Sequence, residues 1–447
     1  MRLTLILWLL TVLIPGWLVV VLWFDEISRG FFKKISLAYG LGLALLTVEI
    51  FLIVFIFRLP VKWLYPVLMV EILAGGLQYW RRFGFDFRQR FKAEKKRITW
   101  TESLLLLLIV WQIATAGLAA WLNPVINWDS ITVWSFKAKA LLYNLQGFFD
   151  PGSSWFWHNQ NMANYPWLVP LAQYWLALIN KGFDEVLVNF IFVGFLAALI
   201  CFFYGYLRNY LNRGLSLLLV WLLATTPLIA YHAYNAYADL PLAFYAGAAF
   251  VLTYKWLDTA NNKYLTLSWL CLAAALFTKN EAIIFIIAQL LILLIAKSSL
   301  KIKWTAIFAS LVPAVIAAIP WLGWKIFYKL PTSNVAGGLG WHGQVLAKFL
   351  EDMFVAASWN IWWYIFFGLS LLFIGRIMKD RSLRLAYGLW CLSLGGLLIL
   401  YLFTAEYQFA IDGTALSRNL INFVPGSAWL LGLLWRREFF AGLFTKG

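Results

Sequence analysis

The segment SLLLLLIVWQIATAGLAAWL, Ser103 to Leu122, runs directly into NPVINWDSITVWSFKAKAL, Asn123 to Leu141. The first stretch is an unbroken apolar run of about the 20 residues that a helix needs to cross a hydrocarbon core. The second brings one carboxylate, Asp129, and several aromatic residues to the end of that run. A membrane-crossing helix followed by an acid-bearing, aromatic-rich loop predicts a site at the membrane surface.

The composition of the whole chain indicates the same class of protein. Hydrophobic residues make up 63% of 447 positions and charged residues only 13%, which is typical of a polytopic α-helical membrane protein. Hydropathy predicts about 13 transmembrane helices, of which one covers Gly214–Tyr231. The run Ile6–Phe24 is too long for the apolar region of a cleaved signal peptide, so we expect a retained helix. The three cysteines lie in apolar runs, so we expect no disulfides.

Basic residues predict the orientation, because cytoplasmic loops retain Lys and Arg. Placing the basic segment Arg81–Arg97 inside and alternating the crossings puts 25 of the 36 Lys and Arg residues inside. The net charge of +16 is then mainly an orientation signal. Nucleic-acid binding is a poor explanation, because the basic residues are spread over many short loops. The loop that carries Asp129 is predicted to be external.

The stretch Tyr264–Ala296 tests this orientation. One long helix here would reverse the direction of every later crossing and expose most of the downstream basic residues. We therefore predict two short helices, Tyr264–Thr278 and Ala282–Ala296, joined by an external turn at Lys279.

The external loop 123–182 is predicted to contain two helices at the membrane surface. In Ser130–Leu145, apolar residues such as Trp134 and Leu141 are expected to face lipid. The second follows Pro166, with Trp167 and Trp175 as interfacial anchors.

The predicted orientation collects ionisable residues at one end of the helices. Buried or membrane-level charges are costly unless they are paired, solvated or functional, so this clustering predicts a site. Lys137 and Lys139 are two positions apart and cannot share one helical face, so at most one is expected to point into it. The residues concerned are Asp129, Lys137, Lys139, His158, Asp239, Lys279, Glu281 and Arg418.

Structural explanations exist for several of these residues. Asp129 and Asp239 each precede a predicted helix and are equally compatible with capping it. Lys279 and Glu281 are close enough in sequence to pair with each other, and His158 is compatible with a solvated loop.

Two further observations concern residues outside this cluster of charges. Glu49 and Glu71 lie near the middle of their predicted spans, where we expect a protonated or hydrogen-bonded carboxyl, with a proton pathway as the alternative. Three histidines and no closely spaced His/Cys pair argue against zinc.

Five motifs in order carry a resemblance to a known family. They are WDSITVWSFKAKAL from Trp128, NYPWLVPL from Asn164, YADLPLAF from Tyr237, FTKNEAI from Phe277 and SRNLINFVP from Ser417. Together they resemble the polyprenyl-phosphate-dependent glycosyltransferases of the GT-C superfamily. Within it, the chain is similar to glycosyltransferase family 39, with protein O-mannosyltransferases and the lipid A aminoarabinose transferase. The resemblance covers about Ser103 to Arg437.

The resemblance implies a GT-C fold and a division of the chain. Residues 1–102 correspond to an added three-helix extension with a basic cytoplasmic loop. Residues 103–303 correspond to the catalytic core and residues 304–447 to a C-terminal transmembrane region without a soluble domain.

The resemblance also implies roles for individual residues. Asp129 stands where the family has its catalytic base or acceptor-orienting acid, with Ser130 where many relatives have a second acid. A single base without a metal is therefore expected. Donor-phosphate binding is implied for Lys279 and Arg418, with Lys137 or Lys139 as a further candidate. Other site candidates are Asp239, Glu281, His158 and Tyr165.

The implied activity is transfer of a sugar, with inversion, from a polyprenyl-phosphate donor to an extracytoplasmic lipid, glycan or protein. The expected location is a bacterial plasma membrane, with the active site external and with lipids but no nucleic acid as partners. Two alternatives stay open. A transporter or flippase of lipid-linked saccharides would explain Glu49 and Glu71 but predicts charges at the midplane and repeated halves. An O-antigen ligase or polymerase predicts large loops with paired arginines.

Overall fold

The structure is a computed structural model that describes residues 2–84, 97–145, 163–300, 303–331 and 337–435. These residues form an all-helical bundle. Its first half, in chain order, comprises α1 (Arg2–Phe24), α2 (Phe31–Phe51, continued by a π-helical turn over Leu52–Ile56), a 3₁₀ turn (Val61–Trp63), α3 (Leu64–Phe83), α4 (Trp100–Leu122), a π-helical turn (Ser130–Trp134), α5 (Ser135–Tyr143), α6 (Leu168–Asn180), a 3₁₀ turn (Leu187–Asn189), α7 (Phe190–Leu207) and α8 (Arg213–Ala224).

The second half contains the helix at the centre of the bundle. The elements are α9 (Pro227–His232), α10 (Asp239–Thr259), α11 (Asn262–Thr278), α12 (Ala282–Leu300), α13 (Trp304–Phe327), α14 (Gln344–Phe354), α15 (Trp362–Leu372), α16 (Ile374–Lys379), α17 (Arg381–Phe403), α18 (Tyr407–Ile411), α19 (Leu416–Leu420), a 3₁₀ turn (Ile421–Phe423) and α20 (Val424–Leu434).

Helix α10 is the core of the molecule. It is buried along its whole apolar length and packs against α7, α11, α17 and α20. Because α10 begins at Asp239, the fold places this carboxylate at the end of the central helix and surrounds it with protein.

The first two helices pack with their backbones in contact. A Cβ on Gly16 would lie 2.0 Å from the Ala38 carbonyl oxygen, and one on Gly42 would lie 2.0 Å from that of Val12. Small residues allow this approach, which gives van der Waals contact where lipid supplies little hydrophobic driving force.

Seven described helices are long and apolar enough to cross a membrane, and four shorter apolar helices accompany them. This agrees with a polytopic membrane protein of GT-C type, but the predicted count of 13 is not confirmed. The predicted span Gly214–Tyr231 is wrong as one helix: α8 ends at Ala224 and α9 begins at Pro227. Proline has no backbone N–H to continue a helix but fits its first turn. The predicted break at Lys279 is confirmed, since α11 ends at Thr278 and α12 begins at Ala282.

The helices of the loop 123–182 pack into the protein more deeply than predicted. Trp134 and Leu141 on the first, and Trp167 and Trp175 on the second, are each 1% exposed. They are therefore core residues instead of lipid-facing anchors. The reason is that α5 and α6 pack against each other and α6 also packs against α1 and α2, so protein covers the faces that were expected to meet lipid.

Candidate active site

The fold brings five charged side chains together at the end of the bundle where α10 begins. Asp239 is fully buried and contacts both cations of the group. Its Oδ1 accepts a hydrogen bond from Lys279 Nζ at 2.9 Å, and its Oδ2 accepts one from Arg418 Nη2 at 2.9 Å. We call Asp129, Asp239, Lys279, Glu281 and Arg418 the ion cluster.

Arg418 connects the central carboxylate to the loop after α4. Its Nη1 donates to Asp129 Oδ2 at 2.6 Å while Nη2 is held by Asp239. The guanidinium also lies over the ring of Tyr237, 4.4 Å from the ring centroid. Two carboxylates and one aromatic face fix the planar group, an arrangement that suits Arg better than Lys.

Lys279 is fixed by three acceptors. Besides Asp239, its Nζ lies 3.0 Å from Glu281 Oε1 and donates to Asn419 Oδ1 at 3.2 Å. Asn419 in turn donates to the hydroxyl of Tyr401 at 2.7 Å. The turn between α11 and α12 makes this possible, because Lys279 is in an extended conformation at the end of α11.

Hydrogen bonds fasten the loop that carries Asp129. Asn127 bonds to Asn235 and accepts from the Tyr231 hydroxyl at 2.7 Å. Asn235 also donates to the Tyr231 carbonyl at 2.6 Å. The side chain of Asp129 binds Arg418 instead of capping the following helix, and that of Asp239 binds Lys279 and Arg418. The capping interpretation is therefore wrong for both residues, whereas the predicted pairing of Lys279 with Glu281 is confirmed.

Mutual attraction keeps the cations charged despite their burial. Burial disfavours the charged form of Arg418, but Asp239 and Asp129 outweigh it and raise the pKa of Arg418 above its usual value. Burial likewise opposes the charge on Lys279, and Asp239 and Glu281 raise its pKa above the usual range. Both side chains are therefore cations at neutral pH.

His232 joins the ion cluster from α9. Its Nε2 lies 3.8 Å from Asp239 Oδ2, and its Nδ1 bonds to the Leu228 carbonyl at 2.8 Å. Burial lowers the pKa of His232 to about 4, against the attraction of Asp239. The imidazole is therefore neutral at pH 7, with Nδ1–H donating to Leu228.

A cavity of about 390 Å³ opens beside the ion cluster. It is large enough for a small polar group, in the lower part of the range for ligand sites. Its lining includes Asp129, Lys279, Glu281 and Arg418 from the ion cluster, together with Tyr165. Apolar lining from Trp134, Ile283, Ile284 and Leu400 completes the wall. Polar groups thus meet apolar ones, as a site for a lipid-linked headgroup requires.

The remaining predicted site residues have other surroundings. Lys137 is fully buried; its Nζ donates to the Tyr165 carbonyl at 2.5 Å and lies 4.3 Å from the Trp167 ring centroid. Lys139 pairs with Glu185 at 2.5 Å. Neither lysine is part of the cavity lining. His158 lies outside the described residues.

Sequence reasoning missed the residues that support the ion cluster. His232 begins the stretch HAYNAYADLPLAF that contains Asp239, so an acid and a histidine within one short apolar motif were an available signal. For Asn419 and Tyr401 the sequence offers no comparable signal, because both are uncharged and 18 positions apart.

Within the described ranges, no three His, Cys, Asp or Glu side chains are grouped so that they could hold a metal ion. Metal independence of the site stays a prediction.

Comparison with known proteins gives one family. The chain matches no curated protein and no solved structure. One family matches a segment that makes up roughly a third of the chain. This segment contains Tyr165, Asp239, Lys279 and Glu281, and it ends before Arg418. Residues 165–324 match the family of dolichyl-phosphate-mannose-protein mannosyltransferases, a GT-C type family, which confirms the resemblance for that segment.

Proposed function

We propose that this protein is a membrane glycosyltransferase that moves a sugar from a polyprenyl-phosphate donor to an acceptor at the external face of a plasma membrane. The observation that carries the proposal is the ion cluster: a partly exposed carboxylate, Asp129, and two fixed cations, Lys279 and Arg418, border one cavity. The match of residues 165–324 to a family named for a lipid-phosphate sugar donor supports the same class of reaction.

The acceptor nucleophile needs a base, and Asp129 is our candidate. Its side chain is 33% exposed, the largest exposed fraction in the ion cluster. In the structure Arg418 pairs with Asp129. A donor phosphate competes for Arg418, so donor binding frees the Asp129 carboxylate to accept the acceptor's proton. A positioned general base contributes roughly 100- to 10,000-fold to a rate.

The leaving phosphate needs positive charge, because its charge grows as the glycosidic bond breaks. Lys279 and Arg418 supply this charge from fixed positions, since Asp239 holds both of them. Preorganised cations of this kind stabilise a transition state without reorganising during the reaction. Asp239 itself is a positioning residue, because it is fully buried behind the two cations.

We further propose direct displacement with inversion at the anomeric carbon. Acceptor, sugar and phosphate need only lie in line within the cavity, and no covalent enzyme intermediate takes part. The two cations neutralise the phosphate, and the proposal includes no metal.

Transfer from a polyprenyl-phosphate sugar by purified Asp129→Asn protein tests the role of the base. We expect a loss of roughly 100-fold or more in turnover with the donor still bound. Asp184→Asn is a matched control, because Asp184 is not part of the cavity lining and accepts its hydrogen bonds from the backbone N–H groups of Val186 and Leu187. Wild-type turnover in folded Asp129→Asn would refute the assignment.

The external location has its own test. Leu339 is 87% exposed and lies in the predicted external region. In a background with the native cysteines replaced by serine, Leu339→Cys should react with a membrane-impermeant maleimide added outside intact cells. Labelling only after the cells are opened would place the site on the cytoplasmic side.

A further inference from the structure

Each cation of the ion cluster has one buried and one more exposed carboxylate partner. For Lys279 the buried partner is Asp239, with 0% of its side chain exposed, and the other is Glu281, with 19% exposed. An ion pair with a buried carboxylate is costly to break because the charge left behind is uncompensated. The two partners of Lys279 are therefore unequal, and Glu281 is the one that exchanges more readily.

Protein acceptors fill the hydrogen-bonding capacity of Lys279. A lysine ammonium has three N–H donors, and three oxygens surround Nζ within 3.2 Å, those of Asp239, Glu281 and Asn419. Asn419 is 3% exposed and is itself held by Tyr401. A phosphate oxygen that approaches Lys279 from the cavity must therefore replace one of these acceptors. Glu281 and Asn419 both line the cavity, and Glu281 is the more exposed of the two and the one that carries a charge.

We propose that Glu281 occupies the place at Lys279 that a donor phosphate oxygen takes, and leaves Lys279 when the donor binds. This inference rests on the proposed function and adds a residue that sets donor affinity. A carboxylate and a phosphate offer the same chemistry to an ammonium, namely charged acceptor oxygens at hydrogen-bonding distance. Glu281 is thus an internal competitor for the phosphate.

The displaced carboxylate has a cation to move towards. Lys325 attracts Glu281 electrostatically, and its Nζ donates to the side chain of the adjacent residue, Asn280, at 3.3 Å. A cation therefore compensates the charge of Glu281 both before and after the exchange, Lys279 before it and Lys325 after it. Lys279 meanwhile keeps Asp239 and Asn419, so the ammonium stays in place while its third partner changes.

The test is binding of farnesyl phosphate to detergent-purified full-length protein, measured by calorimetry, with farnesol as the ligand without phosphate. Glu281→Gln keeps the shape of the side chain and removes the competing charge. We expect farnesyl phosphate to bind about tenfold more tightly to this variant than to wild type. Glu281→Ala is the second variant and should change the affinity in the same direction if the Gln variant fails to fold.

Glu351→Gln is the charge-matched control, since it removes one negative charge at an exposed side chain that pairs with Lys348 and is not part of the cavity lining. Its affinity for farnesyl phosphate should equal that of wild type. Unchanged or weaker binding by the Glu281 variants overturns the inference, and so does equal tightening by Glu351→Gln, which would show a general charge effect. If wild type binds farnesyl phosphate no better than farnesol, the proposed function fails instead.

Discussion

Removing the charge of Asp239 is the most informative perturbation of the fold and the site together. Asp239→Asn keeps the volume of the side chain but leaves Lys279 and Arg418 without their shared buried carboxylate. Each of the two hydrogen bonds is 2.9 Å long and involves charged partners, and such bonds contribute roughly 1.5–3 kcal/mol each. Removing one member of a buried ion pair typically costs about 3–5 kcal/mol. We expect Asp239→Asn to lower the free energy of unfolding by about 3 kcal/mol or more, a large part of the stability of a typical protein.

Unfolding in mixed detergent and dodecyl sulfate micelles, followed by far-ultraviolet circular dichroism, measures this loss. The control is Asp412→Asn, an exposed acid that should change the free energy of unfolding by no more than about 0.5 kcal/mol. The double variant Asp239→Asn, Lys279→Met should lose less than the sum of the single variants, because it also removes the cation left unpaired. A coupling of about 2 kcal/mol is expected. The reasoning would be refuted if Asp239→Asn and Asp412→Asn had equal free energies of unfolding. It would also be refuted if the double variant lost the full sum of the losses of Asp239→Asn and Lys279→Met.

Other predictions concern a histidine, a carboxyl pair and a helix contact. Burial lowers the pKa of His232 from about 6.5 to about 4. Between pH 6.5 and pH 4 the unfolded chain therefore binds more protons than the folded protein. The free energy of unfolding should fall by about 3 kcal/mol as the pH drops from 6.5 to 4. Thermal unfolding of His232→Asn should lack this part of the pH dependence, and an unchanged profile would contradict it. The Glu49 and Glu71 side chains interact with each other, and each has a buried Oε2 without a hydrogen-bond partner among the described residues. We expect the two carboxyls to share a proton, so Glu71→Gln should retain a bond, whereas Glu71→Leu should cost about 1–3 kcal/mol more in the unfolding assay. Equal stabilities would argue against the shared proton. Gly16→Ala should destabilise the folded protein by about 1–3 kcal/mol. Gly76→Ala should not destabilise it, because a Cβ at Gly76 has no described atom within 4 Å. The melting temperatures of the two variants measure the difference.

The sequence predicted the backbone of the site better than its side-chain contacts. The break at Lys279 followed from the distribution of basic residues along the chain, a signal that needs no tertiary information. Arg418 and Asp129 are 289 positions apart, so their pairing depends on how the helices pack. Their presence at one end was predictable, but which carboxylate each cation binds was not.

Both helices of the loop after α4 were wrongly predicted to place their tryptophans at the lipid, and the two errors have a common physical cause. Tryptophan has an apolar ring with one polar N–H, and it suits both a membrane interface and a protein core. Trp167 and Trp175 are compatible with either environment in the sequence, and only the packing of α6 on α1 and α2 decides for the core. A sequence reveals the amphipathic character of such residues but not the surface that covers them.

The charge of the cavity lining determines how much each part of the proposed donor contributes to its binding affinity. The lining carries four acids, Asp129, Glu281, Glu406 and Asp412, but only two cations, Lys279 and Arg418. A phosphate therefore enters a cavity with more negative than positive groups and gains its contacts by replacing carboxylates. A hydrocarbon tail adds little to the affinity, because it passes from one apolar environment, the lipid, to another. The net affinity for the phosphate is therefore the difference between the contacts that it gains and those that the carboxylates lose, and the ion cluster also orients the phosphate beside Asp129.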